Sequence, residues 1–194
     1  MTRLLTLALA TLLLAAPAGA VSISFTPSSI DTSVGGTIAF DVLVGDLGAD
    51  AVGSYDLDLS FDGSKLAFTS FDFGALLGGP AASLQSAGAA GGVVDAAEVS
   101  LLLPAELDAL QGDPVNLGTV RFAVLAEGAS DVGVTQAIVG NAVGRRLTVT
   151  STGSVRITAG PAVPEPGAAL LFALGLAAVA HGARRTKEGV RPLP

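Results

Sequence analysis

Apolar and polar residues alternate along much of the chain with the period of two that a half-buried strand requires. The clearest case is SYDLDLSFDGSKLAFTSFDF, where Tyr55, Leu57, Leu59 and Phe61 interleave with Ser54, Asp56, Asp58 and Ser60. DGS then supplies a turn, and Leu66 and Phe68 open the next strand. Upstream, TIAFDVLV alternates through Ile38, Phe40, Val42 and Val44. Downstream, GVVDAAEVSLLL, VNLGTVRFAVLA, DVGVTQAIV, RRLTVTS and SVRIT are further strand segments, punctuated by Gly, Pro, Asp and Asn. PAELDALQGDP has room for a helical turn, too short to alter the class, and AGAAGG (Ala87 to Gly92) reads as a flexible loop. The pattern predicts an antiparallel sandwich or barrel over residues 21–158. A segment of that length buries about two thirds of its unfolded surface, enough for one core.

The two ends break the pattern. MTRLLTLALATLLLAAPAGA has a basic start at Arg3, an apolar stretch from Leu4 to Ala16, and the small-residue run Ala18-Gly19-Ala20. That is the layout of a secretory signal peptide over residues 1–20, cut by signal peptidase between Ala20 and Val21. At roughly a dozen apolar residues it falls short of the ~20 that a spanning helix takes. At the other end, prolines 161, 164 and 166 make a stiff spacer over residues 159–166. An apolar run follows from Ala168 to Ala180, then Arg184, Arg185 and Lys187. A helix over 167–183 would be about 25 Å long. The hydrocarbon core is about 30 Å, so this is the lower edge of spanning. A buried core helix is the alternative, but the spacer, the terminal position and the basic stop favour a transmembrane helix. Its basic tail, 184–194, would then stay cytoplasmic with the sandwich facing outward.

Composition narrows the function classes. The 194-residue chain carries −7, but residues 21–162 hold 15 acidic and five basic residues, a local charge of −10. An acidic centre without a basic patch excludes nucleic acid as a partner, because binding it needs Lys and Arg to displace counterions. Cysteine is absent, which removes disulfides and thiol chemistry. The single histidine, His181, lies in the tail, so the sandwich has no Ser-His-Asp or Cys-His constellation and no histidine metal site. AGAAGG lacks a following G-K-[ST], which argues against a phosphate loop. No cofactor is expected.

Carboxylates are the remaining chemistry. Asp56 and Asp58, two apart on a strand, project from one face, and Asp41 is a candidate to lie opposite them on a neighbouring strand. Glycoside hydrolysis needs carboxyl groups roughly 5 to 9.5 Å apart, so a polysaccharide-acting enzyme is the catalytic alternative. The simpler account is the wet face of an amphipathic strand, with no catalytic residue. Asp46, Asp50 and Asp62 fall in loop positions suited to calcium, yet no D-x-[DN]-x-[DN]-G loop accompanies them. For sugar stacking there is no tryptophan, and Tyr55 is in register with the core; Phe71 and Phe73 are better suited to packing.

Two resemblances add to this reading. SISFTPSSIDTSVGGTIAFDVLVGDLG followed by VGSYDLDLSFDGSKLAF resembles a cohesin-type domain, with Tyr55, Asp56, Leu57, Leu59, Phe61, Asp62 and Leu66 filling the family's strand-and-turn pattern. LGTVRFAVLAEGASDVGVT is similar to a later family segment through Leu117, Thr119, Val120, Phe122 and Gly128. The resemblance implies a jelly-roll sandwich of about nine strands, related to carbohydrate-binding modules, that binds polysaccharide or protein rather than catalysing. The ordering of Pro164-Glu165-Pro166, the apolar run and Arg184-Arg185 resembles the PEP-CTERM sorting signal of Gram-negative bacteria. That implies an exosortase-type membrane protease as a partner during export, and a destination at the cell surface or extracellular matrix. A permanently tail-anchored envelope protein is the alternative.

Overall fold

The computed structural model describes residues 20–162 and 174–176. The chain divides into two compact units, one up to Gly160 and the other from Pro161. In the second, residues 174–176 are helical. Among the described residues no helix is long and apolar enough to cross a membrane. The helix expected over 167–183, the Pro164-Glu165-Pro166 motif, Arg184, Arg185 and the segment before Ala20 lie outside the described residues, the 174–176 turn excepted.

Over the described residues, the first unit is an all-β sandwich of eleven strands with one short helix. The strands are β1 (Ala20–Thr26), β2 (Ser29–Ser33), β3 (Thr37–Gly45), β4 (Val52–Ser60), β5 (Leu66–Phe73) and β6 (Ser83–Ala90). They continue with β7 (Val93–Ser100), helix α1 (Pro104–Leu110), β8 (Val115–Val124), β9 (Gly128–Asn141), β10 (Arg146–Thr152) and β11 (Ser154–Gly160). One layer runs β5-β8-β3-β1 and the other β6-β7-β4-β9, while β10 pairs with both β1 and β9 and joins them. Strand β11 pairs with β9 and β2.

Two sequence expectations are corrected. The count is eleven rather than about nine, because Pro27 lies between two strands in the opening segment and because Ser83–Ala90 is a strand. The pairing is not purely antiparallel: β1 runs parallel to β10, and β2 parallel to β11. The last strands return beside the first ones in the same direction, and this closes the sandwich. Among the described residues the strands run from Ala20 to Gly160, whose neighbour Ala159 pairs with Thr32.

The core follows from the alternation. On β3, Ile38, Phe40, Val42 and Val44 are buried, and on β4 Tyr55, Leu57 and Leu59 are buried. They meet Val115, Leu117, Val120 and Phe122 of β8 in one continuous cluster. Phe122 is its aromatic centre: the Phe40 ring stacks on it at 6.1 Å, and Phe61 and Phe68 approach to 5.0 and 6.0 Å. Such offset and edge contacts contribute about 0.5–1.5 kcal/mol per pair beyond area burial. Gly118 beside it has no substitute, since a Cβ there would come within 2.5 Å of the Phe71 ring and 2.7 Å of the Asp72 carbonyl.

Candidate functional site

The side of β4 that does not face the core carries Ser54, Asp56, Asp58 and Ser60, and the register shows what stands beside them. Asp58 lies directly opposite Asp95 of β7 on one side and Gln136 of β9 on the other. Asp56 lies between Ala97 and Ile138. Beyond β7, Val99 pairs with Leu84 of β6. The outer face of β6-β7-β4-β9 therefore has carboxylates at its middle and exposed Leu84, Val99 and Ile138 toward the Asp56 end. Leu84 is 64% exposed, a large value for a leucine on a strand.

Like charges placed directly opposite on adjacent strands repel. Partial burial, and then the charges of Asp95 and Asp58, hold the Asp56 carboxyl above its usual range. Among the described residues, none of the three carboxylates has a hydrogen-bond or ion-pair partner. Small residues on β6 and β7 leave a shallow trough of about 510 Å³ beside them, lined by Asp58, Asp95, Ser86, Gly88, Ala90 and Val93 among others. The face thus offers unneutralised negative charge, apolar side chains and a depression suited to a long side chain.

Other expected groupings do not form. Asp41 stands on β3, whose neighbours are β1 and β8, so it lies in the layer opposite Asp56 and Asp58 and its carboxylate accepts from the Thr119 hydroxyl at 2.5 Å. The paired-aspartate constellation with Asp41 is therefore corrected: consecutive strands β3 and β4 belong to different layers. Asp46 and Asp50 occupy the β3–β4 loop, whereas Asp62 is in the β4–β5 turn, where it accepts from the amide and hydroxyl of Ser64. Asp50 accepts from Asn141 Nδ2 at 2.7 Å. Among the described residues there is no group of three or more His, Cys, Asp or Glu side chains placed to hold a metal. Phe71 is buried, and Phe73 packs against its ring at 4.9 Å. Of the expected processing residues, Ala20 is the first strand residue and Val21 is wholly buried. Ala18 lies outside the described residues.

Sequence reasoning missed Asp95, Glu98 and the apolar rim. Asp95 carried a signal, since it alternates with buried Val94 and Ala96 just as Asp58 does with Leu57 and Leu59. Glu98 faces inward and is fully buried.

No protein-family model matches the chain, and no curated protein sequence matches it. Solved structures do. The cohesin module of a family 33 glycoside hydrolase from Clostridium perfringens superposes with a TM-score of 0.57 at 14% identity, covering 75% of this chain and 98% of that one. A structure of a type I cohesin–dockerin complex from Clostridium thermocellum contains a chain matching with a TM-score of 0.60 at 11% identity, over 73% and 99%. A non-cellulosomal cohesin from Archaeoglobus fulgidus gives 0.52 at 20% identity, over 72% and 90%. The sandwich is cohesin-like. At these identities the likeness is one of fold.

Proposed function

We propose that this chain is an exported, non-catalytic binding protein whose cohesin-like sandwich docks a protein through the outer face of β6-β7-β4-β9. The observation that carries the reading is the unneutralised group Asp56, Asp58 and Asp95 bordered at one end by an apolar rim of Leu84, Val99 and Ile138. A partner presenting arginine or lysine beside apolar side chains complements both features, the charge giving orientation and the rim giving buried area. Several of the structural neighbours were solved in complex with dockerins, which supports a protein as the ligand class. Polysaccharide is the weaker reading, because no aromatic side chain among residues 20–162 is exposed to stack on a sugar ring. Delivery through the PEP-CTERM signal to the cell surface or matrix belongs to the same proposal, and rests on the order of Pro164-Glu165-Pro166, apolar run and Arg184-Arg185.

Photocrosslinking in the producing cells tests the docking face. A crosslinker at Val99 should give a discrete protein adduct that Asp58→Lys or Asp95→Lys abolishes, and one at Ala39 on the opposite layer should not. Adducts to glycan alone, or equal adducts from both positions, would remove the proposal.

A further inference from the structure

The segment that reads as a glycine-rich loop is strand β6, and it ends the sheet. Free edges are hazardous because their unpaired amide and carbonyl groups template further pairing, and proteins block them with charges, prolines or short strands. Among the described residues three strands pair on one side only: β2, β5 and β6. Strand β2 carries exposed Asp31, and β5 carries exposed Asp72. Strand β6, SLQSAGAA, is eight residues long with no charge and no proline. It sits in an uncharged stretch running from Phe73 to Val94, within a domain that is otherwise strongly acidic. From Ser86 to Ala90 every residue is exposed, including Ala87 and Ala89 on the side turned toward the core.

The backbone geometry shows which groups are free. The Leu101 amide donates to the Ala82 carbonyl, and the Phe61 amide donates to the Gly92 carbonyl. In an antiparallel ladder each residue directs both backbone groups to one side, alternating along the strand. Carried through the β6–β7 register, this turns Leu84, Ser86, Gly88 and Ala90 toward β7 and Gln85, Ala87 and Ala89 toward the open edge.

We propose that β6 is the seam of a symmetric homodimer in which the edge pairs with the same edge of a second copy. A twofold axis through Ala87 sets Ala87 against itself and Gln85 against Ala89 of the other copy, so that the outward groups satisfy one another. On the outer face Leu84 then meets Ala90, and Ser86 meets Gly88, with no like charges opposed. The match is isologous, as a closed dimer requires. A foreign strand is the poorer occupant: the depression beside β6 extends to Asp58 and Asp95 on the sheet face, and the outward-directed Ala87 and Ala89 offer no side chain by which the edge would select a partner. The net acidic domain disfavours self-association through its charged surfaces, and this uncharged edge opposes no like charges. The seam is made by the outward backbone groups of β6 and does not depend on the proposed docking, although Leu84, Ser86, Gly88 and Ala90 border both surfaces.

Analytical ultracentrifugation of the full chain in mild detergent, with amide hydrogen exchange on the same sample, tests it. The expected result is a concentration-dependent dimer with slowed exchange at the Ala87 and Ala89 amides. Ala87→Pro removes one outward amide, and Ala87→Lys places a charge on the seam. Each should weaken association roughly tenfold or more, while unfolding temperature stays close to that of the parent chain. Two results overturn the proposal. One is a monomer at every concentration; the other is a dimer that both variants leave intact while Ala87 and Ala89 exchange fast, which would assign association to another surface such as the apolar tail.

Discussion

The Tyr55 hydroxyl donates to Glu98 Oε2 at 3.2 Å inside the sandwich, where the two side chains are 2% and 0% exposed. The same hydroxyl lies 3.1 Å from the Leu117 carbonyl of the opposite layer, so its proton is shared between two acceptors. Gln85 Nε2 donates to the other carboxylate oxygen at 2.9 Å and also to Ser83 Oγ. Among the described residues no cation reaches Glu98. Its carboxylate is therefore held by hydrogen bonds alone, which tie β4, β6 and β7 together beneath the outer acidic face.

Replacing Tyr55 by Phe leaves Glu98 buried with Gln85 as its remaining donor. An unsatisfied buried polar group costs about 1–3 kcal/mol, so Tyr55→Phe should lower the urea midpoint accordingly. An unchanged midpoint would mean that water or rearrangement replaces the hydroxyl.

Alkali offers a second check on the same pair. Burial first, and then the Glu98 charge, push the Tyr55 phenol far above its ordinary 10.0. The neutral phenol favours the fold, so its contribution is complete below pH 10.0 and declines as the unfolded chain begins to ionise above it. Tyr55 is the chain's single tyrosine, so phenolate absorbance should appear only together with unfolding. Ionisation of the intact fold near its ordinary pKa would contradict the buried contact.

At Asp56 the sign at neutral pH is unfavourable. Its carboxyl is raised by partial burial and by Asp95 and Asp58, so folding favours the protonated form. The stabilising contribution is present below the ordinary carboxylate pKa and is lost as pH rises through the folded value. Asp56→Asn should thus stabilise the domain at pH 7 by a few tenths of a kcal/mol, with the gain vanishing in acid. The same change should weaken docking, a trade of function against stability. Asp62 and Asp72 run the other way: Ser64 and Arg121 hold their carboxyls below the usual range, so their contribution is lost on acidification. Thermal melts across pH 3 to 7 separate the two signs, and a pH-independent gain for Asp56→Asn would count against charge repulsion as its cause.

What was legible in the chain follows contrast in side-chain size and polarity. Strand β4 could be read residue by residue, because Tyr55, Leu57 and Leu59 differ sharply from the aspartates and serines between them. Strand β6 has no such contrast: it is small-residue and exposed on both faces over its last half, so the hydrophobic pattern that marks a strand is missing. Glu98 was hidden for the opposite reason, as a polar residue at an inward position whose partners, Tyr55 and Gln85, come from the two strands flanking β7. The error at Asp41 is topological. Alternation tells which side of a strand a residue takes, but not which layer the strand joins, and the β3–β4 loop crosses between layers.

Three side chains secure that crossing loop: Asp113 accepts from the Asp46 and Leu47 amides, Asn141 donates to Asp50, and Gln111 holds its far end, an attachment that is testable. Gln111, just after α1, donates from Nε2 to the Val52 and Leu76 carbonyls at 2.7 and 3.1 Å, and its Oε1 accepts from the Val52 amide at 2.7 Å. It thus pairs with buried Val52 much as a neighbouring strand would. Gln111→Ala strands these backbone groups and should cost about 1–3 kcal/mol. Exchange at the Val52 amide should accelerate more than exchange in β3 or β8. Asp108→Asn, in the same neighbourhood, is the control expected to change neither. Equal behaviour of the two variants would show that the loop is held by other contacts.

The fate of the tail can be decided by weighing the protein. The order of Pro164-Glu165-Pro166, apolar run and Arg184-Arg185 predicts removal of the C-terminal segment during export, as the loss of residues 1–20 is predicted at the other end. Intact mass of the protein from its producing cells should then fit a chain from Val21 to the neighbourhood of Pro164 to Pro166, with or without an attached group. A mass reaching Pro194 would instead establish a permanent anchor. In that case a helix at the lower limit of spanning length would have to hold the sandwich at the membrane surface, and the sorting protease would drop out of its partners.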